Sequence, residues 1–217
     1  MKKNYKKLFH IAKEGFVFIL ISMIAVQIFL FLNSKFFICF SLCATLFICW
    51  FFRDPEREKE FKDNEIASPA DGKIIFAENV QDSPFYKGRC FKISIFMSVF
   101  NVHINRAALS GIIEDIKYYP GKFFSANLDK ASKYNEHNAI FLKTNNGEKI
   151  CMVQIAGLIA RRIICYIKKG DKVNIGEKFG IICFGSRVDI YMPQDTIIKK
   201  KIGDKVKAGI SVLGEIK

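Results

Sequence analysis

The sequence predicts a mainly β body behind a two-helix membrane hairpin, and three observations carry that prediction. Two uncharged apolar runs, Gly15 to Leu32 and Phe36 to Phe52, follow one another at the amino terminus. Beyond residue 60 the chain alternates apolar and polar residues in short stretches and shows no long, clean helical period. Towards the carboxyl end a Gly-Asp-Lys-Val unit occurs twice, at 170–173 and 203–206.

The two apolar runs are 18 and 17 residues long, close to the roughly 20 that cross a bilayer as a helix. A cleaved signal peptide is the competing reading of the first run. The second run follows at once, after Asn33-Ser34-Lys35, and no small-residue cleavage site separates them. Lys2, Lys3, Lys6, Lys7 and Lys13 precede the first run, and Arg53 and Arg57 follow the second. Positive charge at both ends places them in the cytoplasm, with the body at the inner face of the cell membrane. Trp50 suits an interfacial anchor. Residues 1–52 therefore form the basic segment and hairpin, and residues 53–217 the β-rich domain.

The net charge is +13, of which residues 1–52 hold six lysines and one glutamate. Next to a hairpin, such a surface suits anionic lipid headgroups better than nucleic acid. The seven cysteines include no CxxC pair and read as reduced thiols, not a disulfide framework. No His or Cys cluster has metal-ligand spacing, so no metal is expected.

In the body, Arg89 to Ser98 alternates like a strand, and Ala139–Leu142 and Ile150–Ile155 flank the turn sequence Asn145-Asn146-Gly147. Ala126 to Asn138 is polar and reads as a loop or a short helix, with His137 in the loop. Ile181 to Phe184 reads as a buried strand, and Val188, Ile190 and Met192 alternate beyond it. Between them lies Gly185-Ser186. Such a step is usually an ordinary turn. A serine hydroxyl beside its own upstream carbonyl can also attack it, given strain and a base.

The GDKV-x-x-G units resemble the half-repeats of biotinyl- and lipoyl-like β-sandwiches, which makes a β-sandwich the expected architecture. That resemblance also supplies a rival function, a membrane-tethered carrier or binding module without catalysis. Carrier lysines sit in a short motif at a hairpin tip, and no lysine here has that setting.

Four stretches combine: Ser68-Pro-Ala-Asp-Gly72, Phe96-Met-Ser-Val-Phe-Asn-Val-His-Ile-Asn-Arg106, Tyr119-Pro-Gly-Lys-Phe123 and Phe184-Gly-Ser-Arg-Val-Asp189. In this order, behind the hairpin and an Arg-Asp-Pro-Glu-Arg linker, they resemble the short bacterial and archaeal type of the phosphatidylserine decarboxylase family. The resemblance spans nearly the whole chain and includes Gly157 to Arg162. It implies a zymogen that cleaves itself between Gly185 and Ser186 into a β chain, 1–185, and an α chain, 186–217, which stay together as a heterodimer. Ser186 then becomes a pyruvoyl group that takes the substrate amine as a Schiff base. The implied reaction converts a serine phospholipid, phosphatidylserine, to phosphatidylethanolamine and CO2. The borrowed carbonyl serves as electron sink in place of pyridoxal phosphate.

The resemblance also assigns roles. Asp71, in the Pro-x-Asp-Gly motif, orients or activates the base for self-cleavage. His103 is proton donor or general base and is paired with Asp71. Longer relatives carry a second histidine three residues beyond the first, where this chain has Arg106. Arginine stays protonated and cannot be a base, so Arg106 is expected to hold a substrate carboxylate or phosphate. The Tyr118–Phe124 aromatics read as core or as a headgroup approach, and Arg161-Arg162 as a solvated face or a phosphate contact.

Overall fold

The computed structural model describes residues 10–81, 83–122, 124, 134–157, 162–183 and 185–217. The chain divides into two compact units, residues 1–56 and 57–217.

The first unit is a helical hairpin. Helix α1 (Gly15–Phe31) and helix α2 (Lys35–Phe51) each have 17 residues. Asn33, at φ 51°, turns the chain between them. Thr45 Oγ1 donates to Ser22 Oγ at 3.0 Å, and Phe29 stacks on Phe37. The expected membrane-spanning hairpin is corrected here: among the described residues, no helix is long and apolar enough to cross a membrane. Leu32 caps α1 and Phe52 caps α2, so each helix stops at 17 residues. At 1.5 Å per residue, 17 residues reach about 26 Å against a hydrocarbon core of about 30 Å.

The second unit is mainly β. Its large sheet has eight antiparallel strands in the order β13-β2-β3-β11-β7-β6-β5-β9. These are β2 (Gly72–Val80), β3 (Cys90–Met97), β5 (Gly111–Tyr119), β6 (His137–Lys143), β7 (Lys149–Ala156), β9 (Lys172–Val173), β11 (Ser186–Pro193) and β13 (Lys205–Val206). Two three-stranded sheets complete the unit. One contains β1 (Glu65–Ala67), β14 (Val212–Glu215) and β12 (Ile197–Ile198), and the other β4 (Ile104–Arg106), β10 (Lys178–Ile182) and β8 (Ile163–Cys165).

The architecture is mainly β as expected, an open, curled sheet with two small sheets against one face where a β-sandwich of half-repeats was expected. One core holds Ile93, Ile95, Val188 and Ile190 of the large sheet with Ile66, Leu213, Phe179 and Ile182 of the small ones. On the other face Phe85 packs with Val153, Ile155 and Tyr191. His137, expected in a loop, opens β6 and stacks on Tyr119. Most of the polar stretch before it, and Leu158–Arg161 with Phe123 and Phe184, lie outside the described residues.

The repeat read from the sequence closes the two edges of this sheet. Val173 pairs with Gly111 at one end and Val206 with Gly72 at the other. Both glycines are needed, because a Cβ would stand 2.3 Å from the Lys143 carbonyl oxygen at Gly111 and 2.0 Å from that of Phe96 at Gly72. The side-chain caps match too. Ile175 N–H donates to Ser110 Oγ at 2.9 Å, and Ala208 N–H donates to Asp71 Oδ1 at 2.7 Å.

Candidate active site

The Gly185–Ser186 bond lies where the chain crosses from a small sheet to the large one. β10 pairs with β4, and four residues later Ser186 begins β11, between Met97 of β3 and Ala156 of β7. Gly185 takes the corner at φ +68°, a region glycine enters without steric cost. Ser186 is fully buried, and its Oγ donates to Met97 Sδ at 3.3 Å. The hydroxyl is therefore held away from water on a weak acceptor.

β4 brings the histidine to the same corner. Ile182 N–H donates to the His103 carbonyl at 3.4 Å, and Gly185 N–H donates to His103 Nε2 at 3.3 Å. His103 Nδ1 lies 3.0 Å from the Asn101 carbonyl oxygen, which can only accept. The ring is therefore neutral with its proton on Nδ1, and Nε2 presents a lone pair to the Gly185 N–H. The preceding turn is fixed by Asn101 Oδ1, which accepts from Ser98 N–H at 2.9 Å and from Ser98 Oγ at 2.8 Å.

Asp71 is engaged elsewhere. Arg57 Nη1 and Nη2 donate to its two oxygens at 2.5 and 2.8 Å, and Ala208 N–H to Oδ1. The carboxylate is thus taken up by Arg57 and Ala208 rather than by His103. It adjoins β2, which is separated from β11 by β3, so it stands about two strand spacings, roughly 10 Å, from Ser186. Its loop still bears on the histidine, because Arg106 N–H donates to the Pro69 carbonyl at 3.0 Å and so anchors β4. Arg106 itself is buried, and its Nη1 donates to the Gly176 carbonyl at 2.8 Å. A substrate anion reaching it would compete with that carbonyl.

The chemistry available is an intramolecular attack: a dry hydroxyl, a neutral imidazole and a left-handed glycine corner, all at one peptide bond. A match to the family model described as Phosphatidylserine decarboxylase runs over residues 44–214 and includes every one of these groups. The chain belongs to the phosphatidylserine decarboxylase family. It is 50% identical to a phosphatidylserine decarboxylase proenzyme of Syntrophus aciditrophicus over 208 residues, 94% of this chain and 96% of that protein. It is 51% identical to one of Desulfotalea psychrophila over 175 residues, 81% and 82% of the two chains. With one of Cupriavidus metallidurans it shares 45% over 208 residues, 95% of each.

Within this family site, two groups of residues were not singled out from the sequence. Arg187 and Asp189 form a buried ion pair on β11, starting one residue beyond Ser186. Asn105, Gln154 and Asn138 form a buried row of carboxamides beside Ser186. Polar residues at apolar positions of otherwise buried strands were the available signal. A separate cavity of about 550 Å³, lined by Phe85, Lys117 and Lys149 among others, includes none of these residues.

Proposed function

We propose that this chain is a zymogen that cleaves itself at Gly185–Ser186 and then decarboxylates phosphatidylserine to phosphatidylethanolamine at a membrane. The observation that carries this reading is the 3.3 Å hydrogen bond from Gly185 N–H to the lone pair of His103 Nε2, beside a fully buried Ser186. His103 Nε2 takes the hydroxyl proton as Ser186 Oγ adds to the Gly185 carbonyl carbon. The same nitrogen returns it to the Ser186 amide nitrogen as the C–N bond breaks, leaving an ester. Asn101 holds Nδ1 and so keeps Nε2 basic.

Ser186 fits as precursor of a pyruvoyl group, since it is buried, heads a central strand and has no side-chain bulk to displace. Such a group supplies an electrophilic carbonyl and electron sink that no protein side chain offers. The ladders of β3 and β7 would hold residue 186 after cleavage and keep the β and α chains together. Asp71 is a positioning residue, acting through the Pro69–Arg106 hydrogen bond on the strand that carries His103.

The hairpin attaches the enzyme to the cytoplasmic face of the cell membrane. Phe16, Leu20, Phe31, Phe36 and Leu46 are all more than half exposed on it, and Arg53 stacks on Trp50 at 4.2 Å. Exposed apolar side chains of this size gain by leaving water for the acyl region of a bilayer. The basic charge adds attraction to anionic lipid.

Denaturing mass spectrometry tests the reading. Two chains meeting at residues 185 and 186, the shorter one blocked at its amino terminus, are expected. An intact chain that still releases CO2 from phosphatidylserine would overturn it.

A further inference from the structure

Three carboxamides stand in a row in the core beside Ser186. Asn105 and Gln154 are fully buried, and Asn138 nearly so. Asn138 Nδ2 donates to Gln154 Oε1 at 3.1 Å, and Gln154 Nε2 donates to Asn105 Oδ1 at 2.8 Å. Asn105 Nδ2 then donates to Met97 Sδ at 3.7 Å, the same sulfur that receives the Ser186 hydroxyl at 3.3 Å. Gln154 lies opposite Val188, which shares a sheet face with Ser186. Gly180 makes room for the row, since a Cβ there would stand 2.9 Å from Gln154 Nε2.

The row has a direction. Reversing the three amides would turn Asn105 Oδ1 towards the thioether, acceptor against acceptor, so the N–H end must face residue 186. Each amide polarises the next, which strengthens the terminal donor. That donor and the serine hydroxyl converge on sulfur, a weak acceptor that satisfies neither well. An oxygen carrying developing negative charge would be a stronger partner for Asn105.

We propose that Asn105 is a catalytic donor for self-cleavage, giving its Nδ2–H to the oxygen that starts as Ser186 Oγ and departs in the Gly185 carboxylate. Gln154 and Asn138 position it. The inference rests on the self-cleavage reading above. In the elimination that follows ester formation, the Cα proton of residue 186 passes to His103 Nε2. The C–H electron pair becomes the Cα=Cβ bond, and the Cβ–O pair leaves with the oxygen. Charge therefore builds on the oxygen nearest the end of the amide row.

Processing of the full-length chain, followed by denaturing mass spectrometry with and without hydroxylamine, tests this. Hydroxylamine splits an ester at Gly185 and releases a short chain with a free Ser186 amino terminus. Asn105→Ala should slow formation of the blocked chain on the order of 10²-fold, as loss of one preorganised donor does. It should also accumulate uncut precursor that hydroxylamine splits. Gln154→Leu, of similar volume, should do the same more weakly and decides the matter if Asn105→Ala does not fold. A folded variant that processes at the wild-type rate, or stalls as a precursor resistant to hydroxylamine, would overturn the assignment. Wild-type protein that yields no blocked chain would instead overturn the self-cleavage reading.

Discussion

Arg187 Nε donates to Asp189 Oδ1 at 2.5 Å, two residues along the same strand, on the sheet face opposite Ser186. Arg187 Nη2 reaches Ser94 Oγ on β3 at 2.8 Å, and Lys92 Nζ lies 2.9 Å from Asp189 Oδ2. Arg187, the residue after Ser186, is thereby pinned to its neighbouring strand by side chains as well as by the backbone ladder. In the proposed cleavage residue 186 becomes a chain end, and chain ends fray unless tied down.

Arg187→Leu leaves Asp189 with Lys92, so the loss should fall below the roughly 3–5 kcal/mol of an uncompensated buried charge. The urea midpoint should fall accordingly. The double variant Arg187→Leu with Asp189→Leu should recover part of the loss, and a double-mutant cycle measures the coupling.

Ser186→Ala should remain a single chain and release no CO2 from phosphatidylserine, with its unfolding midpoint nearly unchanged. The measurements are intact mass and a CO2 assay on the same preparation. Decarboxylation by that variant would remove the assigned role.

Asp71→Ser places at the carboxyl-terminal edge the cap that Ser110 provides at the other, so the Ala208 N–H keeps an acceptor. Arg57 loses its ion-pair partner. The variant should fold, and its self-cleavage should slow as the loop anchoring β4 loosens. Asp71→Leu should lose the cap as well and melt lower. Comparing melting temperature with the cleaved fraction separates the two roles.

Burial pushes the Cys151 and Cys90 thiols and the Tyr191 phenol above their ordinary values. Each folded-state pKa lies above the unfolded one, so the unfolded chain releases these protons first as pH rises. Stability is therefore full below the ordinary thiol value of about 9 and declines above it. Unfolding midpoints at pH 7, 9 and 10.5 should fall in that order, and Cys151→Val should flatten the decline. Iodoacetamide at pH 8 should spare Cys151 until the protein is unfolded.

Gly72→Ala would drive a Cβ to 2.0 Å from the Phe96 carbonyl oxygen and should prevent normal pairing of β2 with β3. Gly147, at φ +89° and with no atom within 4 Å of where a Cβ would stand, is the control. There Ala should cost only about 1–2 kcal/mol of left-handed strain. Soluble yield and melting temperature distinguish the pair.

The chain's own residues determined a good deal. Local pattern marked the apolar hairpin, the strands of the body, and the paired GDKV units, because alternation and turn glycines are properties of neighbouring residues. Ordered motifs marked the family, and with it the expectation for Gly185-Ser186 and His103. Tertiary structure decided what depends on partners far apart in sequence. It ended both helices at 17 residues, short of the length to cross a membrane. It gave Asp71 to Arg57 and Ala208, placed Arg106 on the Gly176 carbonyl, and set His137 on a strand. It also aligned Asn105, Gln154 and Asn138, which lie up to 49 residues apart, beside one serine. No pattern along the chain carries that alignment, since hydrogen-bond partners between strands are chosen by sheet register and by the packing of one sheet over another.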